Sequence, residues 1–64
     1  MKLKVDKIIY LINGRSLQEI SKLSGISRPW LSTVINRGQA SMNIVNKLAK
    51  ALNVEPIEIV KMED

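Results

Sequence analysis

Cysteine and histidine are both missing from this chain of 64 residues, and the two absences remove much chemistry at once. Without cysteine there is no disulfide, no thiolate nucleophile and no sulfur ligand for zinc. Without histidine the commonest general base and the commonest metal ligand go too. Acids are scarce ahead of Glu55: only Asp6 and Glu19 occur there, and nothing pairs them with a base, a nucleophile or metal ligands. No apolar run approaches the roughly 20 residues that span a bilayer, and the amino-terminal end lacks the long apolar region of a secretory signal. Repeats, linkers and low-complexity segments are lacking as well. What remains is a small, non-enzymatic, cytoplasmic protein with no cofactor, metal or small-molecule ligand implied. Its length allows a single domain over residues 1–64, near the lower limit for independent folding, with an efficient core and short loops.

Charge is unevenly placed. Residues 1–54 hold nine bases and two acids, whereas residues 55–64 hold one base and four acids, among them Glu63 and Asp64. A basic body with an acidic end suggests a polyanionic partner for the body, although solvated lysines alone account for the same numbers.

Residues 16–38, SLQEISKLSGISRPWLSTVINRG, carry the most information. Helical spacing places Leu17, Ile20 and Leu23 on one face, with Ser16 in front as a cap. Gly25 supplies a left-handed stop and Ile26 the apolar contact that accompanies one. Ser27 caps a second helix, and Pro29 falls in its first turn, where a missing amide hydrogen breaks no bond. Leu31, Val34 and Ile35 then form a buried stripe, while Pro29, Ser32, Thr33 and Asn36 face the other way. Two short helices joined by a tight turn, the second with small polar groups outward, describe a helix-turn-helix over about residues 17–36.

The spacing resembles the DNA-binding domains of lambdoid phage repressors and Cro proteins, the Xre-type family, including Gly25 in the turn and a branched apolar residue at Leu31. LAKALNV at residues 48–54 is similar to the family's fourth helix and EPIEIV to its fifth, so about three quarters of the chain is covered. The resemblance implies an all-α bundle of five short helices that binds operator DNA as a homodimer and regulates transcription, associated with the nucleoid. By position Arg28, Pro29 and Thr33 match the family's base-reading sites, with Ser27 and Ser32 close behind. Arg28 can donate two bonds to guanine, or bind phosphate only; Pro29 can touch only apolar surface such as a thymine methyl; Ser32 and Thr33 define no base by themselves. Backbone contacts are expected from Arg15, Ser16 and Gln18 at the start of the first motif helix, where amides and the dipole favour phosphate. Trp30, Asn36, Arg37 and Asn43 are the remaining backbone candidates; for Trp30 the alternative is packing. The family usually has glutamine where Leu17 stands, so Leu17 is read as packing. Ser21 occupies an alanine position and is read as structural, bonding back to a carbonyl one turn earlier. Arg37 intervenes before Gly38, where the family often places glycine directly after the position of Asn36.

Ahead of the motif, Val5, Ile8, Ile9 and Ile12 mark a scaffold helix over residues 5–13, closed by Asn13-Gly14. Tyr10 and Leu11 lie off that stripe, with Tyr10 read as partly packed or as a contact to phosphate or a second subunit. Behind the motif, Ser41 caps a helix whose apolar side is Ile44, Val45, Leu48, Ala49 and Leu52. Glu55-Pro56 starts a last helix over about residues 56–62. Ile57, Ile59, Val60 and Met62 are more apolar groups than one short helix buries, and they are the candidate dimer contacts. A different class of reading, a protein-interaction module of antitoxin or anti-repressor type on the same fold, would use that same end for a protein partner.

Overall fold

The computed structural model describes residues 1–62. Four α-helices follow one another, α1 (Val5–Ile12), α2 (Leu17–Ser24), α3 (Arg28–Arg37) and α4 (Met42–Leu52), and a 3₁₀ turn, Pro56–Glu58, closes the chain. The all-α class is as the sequence implies, but the fifth helix is only that one turn. Glu55 and Glu58 cap it reciprocally, the Glu58 carboxylate accepting from the Glu55 amide at 3.1 Å, and Ile59 leaves helical geometry at φ −114°. Ile59 still belongs to the turn, and residues 60–62 lie outside any helix. Glu63 and Asp64, part of the acidic end, lie outside the described residues. None of the described helices is long and apolar enough to cross a membrane.

Local chemistry sets the boundaries. Ser16, Ser27 and Ser41 each accept at Oγ from the amide three residues on, at 3.1, 3.4 and 3.4 Å, satisfying one orphan donor per helix. Asn13 and Asn53 end α1 and α4 in the left-handed region, which asparagine tolerates. Gly25 ends α2 at φ +76°, and open space surrounds the place a Cβ would take, so backbone conformation alone calls for glycine there.

Ile8, Ile20, Leu31, Val34, Val45, Leu48 and Ile59 are sealed from solvent, and α2 packs on both α3 and α4. Burying each of these side chains contributes about 1.5–3 kcal/mol. Two helical stripes differ from the expected ones. In α1 the inward face centres on Ile8, with Val5, Leu11 and Ile12 three or four residues away packed beside it; Ile9, about 100° round the helix, is 55% exposed. Tyr10 is exposed rather than packed. In α2 the stripe runs Leu17, Ile20, Ser24, and Leu23 points outward at 55% exposure.

The amino-terminal segment is structural. Residues 1–4 lie between residues 38–40 and 59–61, joined to them by isolated antiparallel bridges, Lys2 to Gln39 and Leu3 to Val60. Leu3 donates to the Gly38 carbonyl and Lys4 to the Ile59 carbonyl, both at 2.8 Å, while Lys61 donates to the Lys2 carbonyl at 2.9 Å. Alternation turns Leu3 and Val60 into the core, 2% and 3% exposed, and leaves Lys2, Lys4 and Lys61 exposed.

Candidate nucleic-acid interface

The turn between α2 and α3 is built from side-chain hydroxyls as much as from Gly25. Ser21 donates to the Ile26 carbonyl, forward across the turn rather than back along its own helix as the sequence suggested. Ser24, buried, accepts from the Ile26 amide at 3.1 Å and donates to the Ser21 carbonyl at 3.3 Å. These bonds pin Ile26 into the core and fix where α3 departs from α2. They also explain why Leu23 points out: the hydroxyl needed inside the turn takes the inward position one residue later.

On α3, Leu31 and Val34 are 0% and 1% exposed and anchor the helix, and Ile35 packs beside them. The opposite face is open. Arg28, Pro29, Asn36 and Arg37 are exposed and Ser32 and Thr33 half-buried, so the base-reading candidates of the sequence share one accessible side. Ser27 is exposed, but its oxygen caps the helix. The Thr33 hydroxyl donates to the Pro29 carbonyl at 3.0 Å. What Thr33 offers outward is therefore a methyl group and an acceptor. Among the reading candidates only Arg28 brings a planar set of charged donors.

The backbone candidates divide. Ser16 and Gln18 are exposed at the start of α2, where Ser16 serves as the cap, and Asn43 is exposed in the first turn of α4. Arg15 is half-buried and its guanidinium donates to the Leu11 carbonyl at 3.4 Å, tying it to the end of α1. Trp30 is 44% exposed and lines a hollow of about 290 Å³ with Arg37, Gln39 and Ser41, which brings α3 together with the loop leading to α4. Leu17 is half-buried against the core, as packing requires.

The candidate dimer contacts need a correction. Ile59 and Val60 are 0% and 3% exposed and belong to the core, because the chain extends after the 3₁₀ turn and its bridge to Leu3 turns them inward. Ile57 and Met62 stay exposed, at 59% and 73%. Around them gathers an apolar hollow of about 290 Å³ that also takes in Met1, Met42 and Pro56. Met1 and Met42 were not singled out in the sequence: the first precedes any helix and the second lies off the apolar side of α4, and only the tertiary fold makes them neighbours.

Comparison with known proteins agrees with this architecture. A family model described as helix-turn-helix matches residues 9–59, about four fifths of the chain. Neither the curated proteins nor the solved structures give a match. The matched span takes in α2, its turn and α3 together with the α4 scaffold behind them. The chain belongs to the Cro/repressor-type helix-turn-helix family, the Xre family of DNA-binding transcription regulators.

Proposed function

We propose that this protein is a repressor that binds a near-palindromic operator as a symmetric dimer, with α3 of each copy in the major groove. The observation that carries this reading is the division of α3: Leu31 and Val34 are locked into the core while Arg28, Pro29, Asn36 and Arg37 stand clear on the other side. A helix held that rigidly can enter the groove without reorganising, and side chains near its amino end reach base edges. Arg28 reads guanine through two donors; Pro29, Ser32 and the Thr33 methyl shape the contact around it. Ser16, Gln18, Trp30, Asn36, Arg37 and Asn43 are assigned to phosphate. Arg15 is assigned to phosphate through the donors that its bond to Leu11 leaves over. The apolar hollow with Met1, Met42, Ile57 and Met62 meets its copy about the twofold axis, and the two α3 helices then enter successive major grooves about 34 Å apart. Occupancy of the operator excludes polymerase, and the protein's own concentration sets the response.

Selection from a random duplex pool at about 0.15 M salt, where nonspecific electrostatic binding is already weak, tests this. The expected product is an inverted repeat with guanine in each half-site. Arg28→Ala is expected to lose that preference, a change of about 1–3 kcal/mol in discrimination. Enrichment of no sequence, with only weak salt-sensitive binding, would remove the operator reading.

The apolar hollow also favours a second reading, a module that acts by holding a different protein there. Ile57→Glu with Met62→Glu would then abolish function while Arg28→Ala leaves it intact. For the operator reading, Arg28→Ala is damaging as well.

A further inference from the structure

An open cleft of about 650 Å³ is lined by residues 2–7, by Arg37, Gly38 and Gln39, and by Lys61. Among the described residues its walls bring together cations that are scattered in sequence, Lys2, Lys4, Lys7, Arg37 and Lys61, with one acid, Asp6. Four different parts of the fold supply them, Lys7 coming from α1. Lys2 and Lys4 alternate outward along the amino-terminal segment, Lys61 arrives beside them because its amide bonds the Lys2 carbonyl, and Arg37 is the last residue of α3. Lys7 pairs with Glu58 at 3.6 Å, both side chains about two-fifths exposed, an ion pair that a stronger anion can displace.

The place of this cleft relative to α3 gives it meaning. Arg28 and Arg37 bound a helix of ten residues, so they stand about 14 Å apart along its axis. Arg37 and Gln39 line both the basic cleft and the Trp30 hollow. The Trp30 hollow at the end of α3 therefore adjoins the cleft at Arg37 and Gln39, and among the described residues no acid lines that hollow. Among the described residues Asp6 is the one carboxylate that lines the cleft, and Lys4, Arg37 and Lys61 outnumber it.

We propose that this cleft is a phosphodiester-binding site that engages the duplex backbone flanking the half-site, outside the base pairs that α3 reads. The inference rests on the DNA-binding reading of α3. It assigns a task to Lys4 and Lys61, which nothing in the motif predicts, and it makes the amino-terminal segment part of the DNA-binding surface as well as of the core. Contacts of this type add affinity equally on all sequences and leave base preference alone.

Lys4→Gln combined with Lys61→Gln tests it, since both side chains are exposed and the backbone bonds of residues 4 and 61 do not involve them. Binding is measured against salt on two duplexes, one carrying the selected site with half a helical turn of flanking base pairs on each side, the other trimmed to the site. Each phosphate contact contributes about 0.9 to the slope of log K against log salt. On the long duplex the double variant is expected to lose about 2 units of slope per protomer, with unchanged preference at the Arg28-read base pair. On the trimmed duplex the variant and the parent protein are expected to bind alike, which separates flanking backbone from free polyphosphate or general charge. An unchanged slope on the long duplex would overturn the proposal, as would an equal loss on both duplexes. If the parent protein bound neither duplex, the α3 reading itself would fall; if it bound and only the variant's slope failed to change, the cleft alone would be refuted.

Discussion

Ser24 is a small polar residue in the core of a small protein, and its hydroxyl is spent twice: it accepts from the Ile26 amide and donates to the Ser21 carbonyl. Removing it leaves a buried amide without an acceptor, because Ile26 is 3% exposed. An unmade bond of this kind costs about 1–3 kcal/mol. Leu23, next to it, is 55% exposed and a good helix position for alanine. The two alanine substitutions are therefore expected to reverse the usual order. Ser24→Ala should destabilise by about 1–3 kcal/mol, and Leu23→Ala by about 0.5 kcal/mol or less. Urea unfolding of the two variants measures this directly, and a larger loss for Leu23→Ala would mean that the leucine, not the serine, faces inward. Gly25 beside them tolerates a Cβ sterically but not conformationally, so Gly25→Ala is expected to cost about 1–2 kcal/mol and Gly25→Asn less.

Among the elements, the amino-terminal segment carries more than its length suggests. Leu3 is 2% exposed, and four backbone bonds, donated by Leu3, Lys4, Ala40 and Lys61, hold the segment between the end of α3 and the stretch after the 3₁₀ turn. Leu3→Ala is expected to cost about 2–5 kcal/mol, against a total stability of only about 3–10 kcal/mol for a chain this size. A fall in urea midpoint of that order at constant slope is the expected result. A change below about 1 kcal/mol would show that the segment is peripheral. The same segment marks where the sequence stopped being legible. Caps and periodicity disclosed α2, α3 and α4, because Ser16, Ser27 and Ser41 act within three residues and stripes such as Val45, Leu48, Ala49 and Leu52 repeat at fixed spacing. In α1, Ile8 and Ile9 are adjacent and equally apolar, so composition does not select which one faces in; the packing of Leu11 and Ile12 does. The pairing of Leu3 with Val60 joins residues far apart in the chain and leaves no local pattern. With that pairing hidden, Ile59 and Val60 read as surface and the lysines as unrelated.

For the whole molecule, the distribution of apolar and charged surface bears on assembly. Reading the 3₁₀ turn as the end of the helical structure divides the four apolar residues near the carboxyl-terminal end into two pairs with opposite roles. Ile59 and Val60 hold the monomer together, whereas Ile57 and Met62, with Met1 and Met42, form an outward apolar surface opposite in character to the lysine-lined cleft. In the proposed dimer that surface is covered, and linking two half-site contacts raises operator affinity far beyond that of one copy. Ile57→Glu places a charge in the middle of this surface at a residue 59% exposed in the single chain. It is expected to leave the unfolding midpoint of the monomer within about 0.5 kcal/mol of the parent. It is expected to shift sedimentation from dimer to monomer and to lower affinity for the full operator by about 10²-fold or more, with half-site affinity unchanged. Ile59→Ala, by contrast, is expected to destabilise the fold itself by about 2–5 kcal/mol, and to weaken full-site and half-site binding only through the fraction unfolded. Sedimentation velocity combined with binding to full and half operators separates the two effects. A parent protein that sediments as a monomer and binds both duplexes with the same affinity would show that each copy acts alone, and would return the apolar hollow to the protein-partner reading.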